Sequence, residues 1–194
     1  MQANACGSSL MPSPTPAKPG SLRSEQIILF RIGEQLFALS SSSVQEVRGA
    51  DSLCGGATEI TAPGVEKVRQ FVRRGHQTLF IVNGAAHFGL SAREGVLAFV
   101  LRNTRTALLV DSIERMTAMT RLQALPLSFC HEERRWYRGL TALDQTVVPV
   151  VRPEGFLSDE ELLMLDASLP PPEAWTEEEE TAEERDADLG AELN

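Results

Sequence analysis

The sequence predicts an all-β fold built as two related units, with one short helix near its C-terminal end and disordered segments at both termini. Two observations carry this. Short apolar runs flank polar turns, as in IILFRI-GEQ-LFAL from Ile27 to Leu39 and VLAFVL-RNTR-TALLV from Val96 to Val110, which is how β-hairpins are written. When the chain is slid along itself by about 69 positions, Phe30 falls on Phe99, Ile32 on Leu101, Ala38 on Ala107, Leu39 on Leu108, Val44 on Ile113 and Val47 on Met116. A repeat that keeps its order over so many positions implies two similar β units in one chain.

The elements follow in order. Residues 1–24 are rich in Ser, Pro, Ala and Gly, and they cannot bury enough apolar surface to offset their ordering entropy, so they read as a disordered leader. The first hairpin follows, then SSSSVQEV. Ala50 to Gly64, with GADSLCGG and the Pro63-Gly64 pair, reads as loop. Val65, Val68, Phe71 and Val72 recur at helical spacing, which predicts a short helix up to Arg74-Gly75, and Thr78 to Val82 reads as a buried strand. After the second hairpin and a proline-bearing connection comes YRGLTALDQTVVPVV, where Pro149 points to an edge strand or a strand end. Ser158 and Glu161 form an S-x-x-E capping box ahead of LLML, so Ser158 should be the N-cap of the terminal helix. The globular domain is thus bounded at 25–168, and 169–194 is an acidic tail in which Trp175 is the one residue suited to docking. Alternation along the hairpins predicts a core of Phe30, Ile32, Phe37, Leu39, Phe99, Leu101, Leu108, Val110, Leu140, Val148 and Val150.

Charge and chemistry narrow the function. The net charge of −9 lies in the tail, where residues 173–194 hold 10 acids and one base, leaving 17 of each before it. A balanced domain argues against a nucleic-acid binder, which would carry an excess of bases. The arginines group as Arg69, Arg73, Arg74 and as Arg134, Arg135, Arg138, as solvated faces commonly do. Cys6, Cys54 and Cys130 form no CxxC pair, which fits a reducing compartment. With no secretory signal and no apolar run near the ~20 residues a spanning helix needs, the expectation is a cytoplasmic protein without direct membrane insertion. His76, His87 and His131 have no His or Cys at ligand spacing, and no nucleophile elbow, Walker loop or dinucleotide fingerprint occurs, so neither metal nor cofactor is expected. Asp111 ends the run TALLV with no second carboxylate or histidine beside it in sequence, which reads as a cap on the next turn rather than a catalytic acid.

Taken together, LFRIGEQLFALSSSSVQEV, the segment ending in Arg74-Gly75, FVLRNTRTALLVDSIERM and YRGLTALDQTVVPVV resemble the CheW-like family of bacterial chemotaxis coupling proteins. LLVDSI, Leu108 to Ile113, is similar to the family's G-x-h-V-D-x-h segment, and the final stretch to its closing hairpin. The resemblance runs from Ile27 to Asp166. It implies two five-stranded SH3-like β-barrels side by side and no catalysis. It also implies two partners, the cytoplasmic tips of chemoreceptors and the regulatory domain of a CheA-type histidine kinase. Against the family's V-x-G-h-h-N-h-R-G-x-h-h-P-h-h-D signature, Arg74 and Gly75 stand at R-G, whereas Arg69, Val72, Leu79 and Val82 replace the glycine, asparagine, proline and aspartate. The residues expected to bind protein are Arg74, Gly75, Val47 and Asp111, with Arg74 projecting into solvent from a tight turn. The competing expectation is a small β-barrel module that binds peptide or single-stranded nucleic acid, disfavoured by few aromatic residues and balanced charge.

Overall fold

The computed structural model describes residues 24–91 and 95–171, so the leader up to Arg23, Cys6, the tail from Pro172 and Trp175 lie outside the described residues. Eleven strands are present among them: β1 Gln26–Ile32, β2 Gln35–Ser40, β3 Val44–Gly49, β4 Thr58–Glu59, β5 Val68–Arg74, β6 Gln77–Asn83, β7 Leu97–Leu101, β8 Thr106–Val110, β9 Ser112–Ala118, β10 Tyr137–Leu143 and β11 Thr146–Val151. The helices are α1 Ala50–Cys54, α2 Gly84–His87, α3 Glu133–Trp136 and α4 Asp159–Ala167. The first sheet runs β10-β11-β2-β1-β9 and the second β3-β7-β8-β6-β5-β4.

The faint repeat organises both sheets. The offset of about 69 residues carries β1, β2, β3, β5 and β6 onto β7, β8, β9, β10 and β11. It therefore turns the order of the first sheet into the order of the second, with β4 as the one addition. Each sheet mixes both halves of the chain. The chain starts in the first sheet, enters the second through Ser41–Ser43, stays there from β3 to β8, and returns at Asp111.

Both faces of each sheet are buried, which is why IILF and VLAFVL read as continuous apolar runs. Phe30, Ile32, Phe37, Leu39, Phe80, Phe99, Leu101 and Leu108 fill one central core between the sheets. Ile27, Leu29, Ala38, Val148 and Val150 form a smaller cluster on the far side of the first sheet, and Leu79, Ile81, Ala98, Val100 and Ala107 one on the far side of the second. Each sheet is curved enough for an ion pair to span it. Arg74 of β5 bonds Glu46 of β3, and Arg115 of β9 reaches Asp144, in the turn after β10, at 3.0 Å. The α4 helix then closes one side, with Ser158 capping it as predicted: its Oγ accepts from Glu161 N at 3.2 Å while its own N–H donates to the Glu161 carboxylate at 2.8 Å. Arg105, 4.8 Å over the Phe80 ring, holds Asp166 of α4 through two bonds of 2.7 and 2.6 Å.

Four expectations are corrected. Val68 to Arg74 is strand β5, not a helix; a bulge between Val68 and Gln70 inserts a residue, so Val68 and Phe71, three apart, both face the core and imitate a helical spacing. Ala50 to Gly64 contains α1 and the two-residue β4 rather than loop alone. Leu140 is only half-buried, because a bulge between Tyr137 and Gly139 turns Gly139 and Thr141 inward instead. Pro149 sits in β11, which lies between β10 and β2 and is not an edge. Its counterpart in the repeat, Phe80, donates its N–H to Arg105 O beside β8; proline has no such donor, and the β11–β2 ladder shrinks to the single pair Val150 and Ala38.

Candidate functional site

The four residues predicted as a site do not gather in one place. Arg74 and Gly75 end β5 and begin the turn to β6, where Gly75 adopts φ +56°, a left-handed conformation that suits glycine. Arg74 does not project freely into solvent. Its guanidinium is held by Glu46, and both side chains are 30% exposed. Glu46 also accepts from Arg48 Nε at 3.2 Å. The hydrogen bond from Arg74, reinforced by Arg48, keeps the Glu46 carboxyl below its ordinary range. Val47 lies between Glu46 and Arg48 on β3, 42% exposed, with its side chain on the opposite face of the strand from the ion network.

Asp111 lies elsewhere. Its Oδ2 accepts from Gly33 N at 2.6 Å and its own N–H donates to Arg31 O at 2.9 Å. It therefore caps a turn, as expected, but the turn of the β1–β2 hairpin 78 residues away rather than the one that follows it.

What sequence reasoning missed is the twin of the Val47 group. Through the repeat, Val47 corresponds to Met116 on β9, Glu46 to Arg115 and Gly75 to Asp144. Met116 is 61% exposed and Ile113 beside it 37%. The Arg115–Asp144 pair closes the first sheet with the polarity of Glu46–Arg74 reversed, and Asp144 has φ +55° against +56° for Gly75. β3 and β9 are each the outermost strand of their sheet, hydrogen-bonded on one side only. Each thus offers a free strand edge, an exposed apolar residue and neighbouring charges, which suits attachment by packing and strand-edge contact. The signal was present in the pairing of Val47 with Met116 along the repeat.

Other chemistry is sparse. Two surface concavities, of about 500 and 970 Å³, contain none of these four residues. Among the described residues no three His, Cys, Asp or Glu side chains converge as metal ligands. No helix there is long and apolar enough to cross a membrane. His87 is buried at the end of α2 among Phe88, Trp136 and Phe156, with ring centroids 4.7, 4.8 and 5.1 Å away, and neither ring nitrogen has a hydrogen-bond partner in the protein. Burial, with Lys67 nearby, pushes its pKa down to about 3, so it is neutral at physiological pH.

Comparison with known proteins agrees with this fold. The CheW-like domain matches residues 26–161, which takes in every strand. A probable chemotaxis protein CheW from Rhizobium etli is 28% identical over 144 residues, covering 70% of this chain and 89% of that protein. The crystal structure of the scaffolding protein TtCheW from Thermoanaerobacter tengcongensis superposes with a TM-score of 0.57 at 14% identity, over 75% of this chain and 96% of that one, a likeness of fold.

Proposed function

The chain belongs to the CheW-like family, and on that premise we propose that it is a non-catalytic adaptor, working in the cytoplasm, that couples chemoreceptor tips to the regulatory domain of a CheA-type histidine kinase. The observation that carries this reading is the pair of matched outer strands. A protein that joins two partners needs two surfaces and no reactive group, and β3 and β9 supply two of related shape and opposite local charge order. Val47 and Met116 are the apolar centres, and the charges on the opposite face of each strand set orientation and exclude wrong partners. Arg74 and Gly75 serve this strand from its other face, where Arg74 holds Glu46.

The test is a calorimetric titration of the chain against a kinase regulatory domain and against a receptor-tip fragment. Val47→Asp and Met116→Asp should each weaken at least one of the two by roughly tenfold or more, since anchors buried at an interface centre contribute about 2 kcal/mol. Wild-type protein that binds neither fragment would overturn the reading. Binding to a proline-rich peptide or to single-stranded nucleic acid instead would point to the barrel-module alternative.

A further inference from the structure

We propose that Asp111 and Gly84 are positioning residues, which latch the two sheets together at their crossover and so fix the placement of β3 relative to β9; the functional consequence rests on the adaptor reading above. Four observations converge. The chain passes between the sheets at Ser41–Ser43 and at Asp111, and each crossing is tied to a hairpin turn of the sheet on the other side. At the second crossing, Asp111 receives the Gly33 N–H at 2.6 Å and gives its own N–H to Arg31 O at 2.9 Å. At the first, Arg102 of the β7–β8 turn donates its backbone N–H to Ser43 O at 2.8 Å and its Nε to Val44 O at 3.1 Å. Gly33 and Arg102 are equivalent in the repeat, so the same turn position is tied at both crossings, to the Asp111 carboxylate in one and to the Ser43 backbone carbonyl in the other.

The fourth observation is steric. A Cβ at Gly84, in the second sheet's α2, would stand 2.6 Å from Ile32 Cδ1 of the first sheet and 2.6 Å from Leu109 O of the second. Gly84 thus leaves room both for the Ile32 methyl packed from the first sheet and for the Leu109 carbonyl of its own sheet. Asp111 ties the crossing to the first sheet's hairpin turn, and Gly84 leaves room beside it for the end of the Ile32 side chain. β9 starts at Ser112, immediately after the latch, and β3 at Val44, immediately after the other tie, so each outer strand leaves directly from a fixed point.

A change at either latch should therefore alter the spacing of the strands without touching their exposed side chains. With Cys6, Cys54 and Cys130 replaced by Ser, nitroxide labels on Val47→Cys and Met116→Cys report that spacing by pulsed electron resonance. The expected result is one narrow distance distribution for the otherwise unaltered chain. Asp111→Ala and Gly84→Ala should each broaden it by about twofold or displace it, whereas Asp111→Asn, whose amide oxygen still accepts from Gly33, should restore it. Distributions for Asp111→Ala and Gly84→Ala that superpose on the parent would overturn the proposal. Should Asp111→Ala fail to fold, amide exchange in the wild type decides, because the latch requires the Gly33 N–H to be protected and exchange at the free rate would refute it. These arms need no partner, so their failure is separate from failure of the adaptor reading. In unlabelled protein, Asp111→Ala should weaken binding of the kinase domain while Asp111→Asn does not.

Discussion

The two sheets have the same strand order, yet they meet at the seam in two different ways. Phe30 and its counterpart Phe99 touch edge to face, 5.3 Å between centroids, both fully buried. A second such pair is His87 and its counterpart Phe156, 5.1 Å apart. One contact joins two hydrophobes. The other places an imidazole where the second half has a phenyl ring, and this explains why both His87 nitrogens lack partners: the site is shaped for a hydrocarbon. Matched positions carry the stability of the seam, and the mismatched one carries its sensitivity to acid.

The largest effect expected from that difference is on pH dependence. The folded-state pKa of His87, about 3, lies below the ordinary 6.5, so the unfolded chain takes up a proton that the folded one refuses. Its share of the stability is complete above about pH 6.5 and is lost as pH falls towards 3, a loss of up to about 5 kcal/mol. Denaturant titrations across this range should show His87→Phe with a clearly flatter decline than wild type. An unchanged slope would mean that His87 protonates freely in the fold.

At the matched contact, Phe30→Ala and Phe99→Ala should each cost about 3–5 kcal/mol. Because the rings share one cavity, the double variant should cost measurably less than the two together. Strict additivity, or a cost confined to one half, would break the symmetry of the seam. The smallest effect concerns the ion pairs. Glu46–Arg74 is 30% exposed on both sides, whereas Arg115 and Asp144 are 56% and 83% exposed. Glu46→Gln should lower stability by about 1 kcal/mol and Arg115→Gln by no measurable amount, the usual fate of a solvated pair. Equal losses would show that exposure does not separate them.

The sequence carried much of this, through one property. The repeat announced the two units, and apolar runs in the hairpins marked buried strands, because both depend on residues close together in the chain. What stayed hidden depended on partners far apart. Nothing near Arg74 points to Glu46, 28 residues away, and nothing near Asp111 points to Gly33. Bulges hid other features by shifting the alternation, as at Val68 and Phe71 in β5 and at Leu140 in β10. The Met116 group was readable in principle, since Val47 already fell on it in the repeat, but its exposure depends on how β9 is placed.

The most direct test of the adaptor account is a hydrogen-exchange footprint of the chain with and without the kinase regulatory domain. The account predicts slowed exchange at Val44–Gly49 or Ser112–Ala118, two of the edge strands, and little change in the interior β1 and β8. Protection confined to surfaces away from β3 and β9, with both strands exchanging as in the free protein, would contradict it.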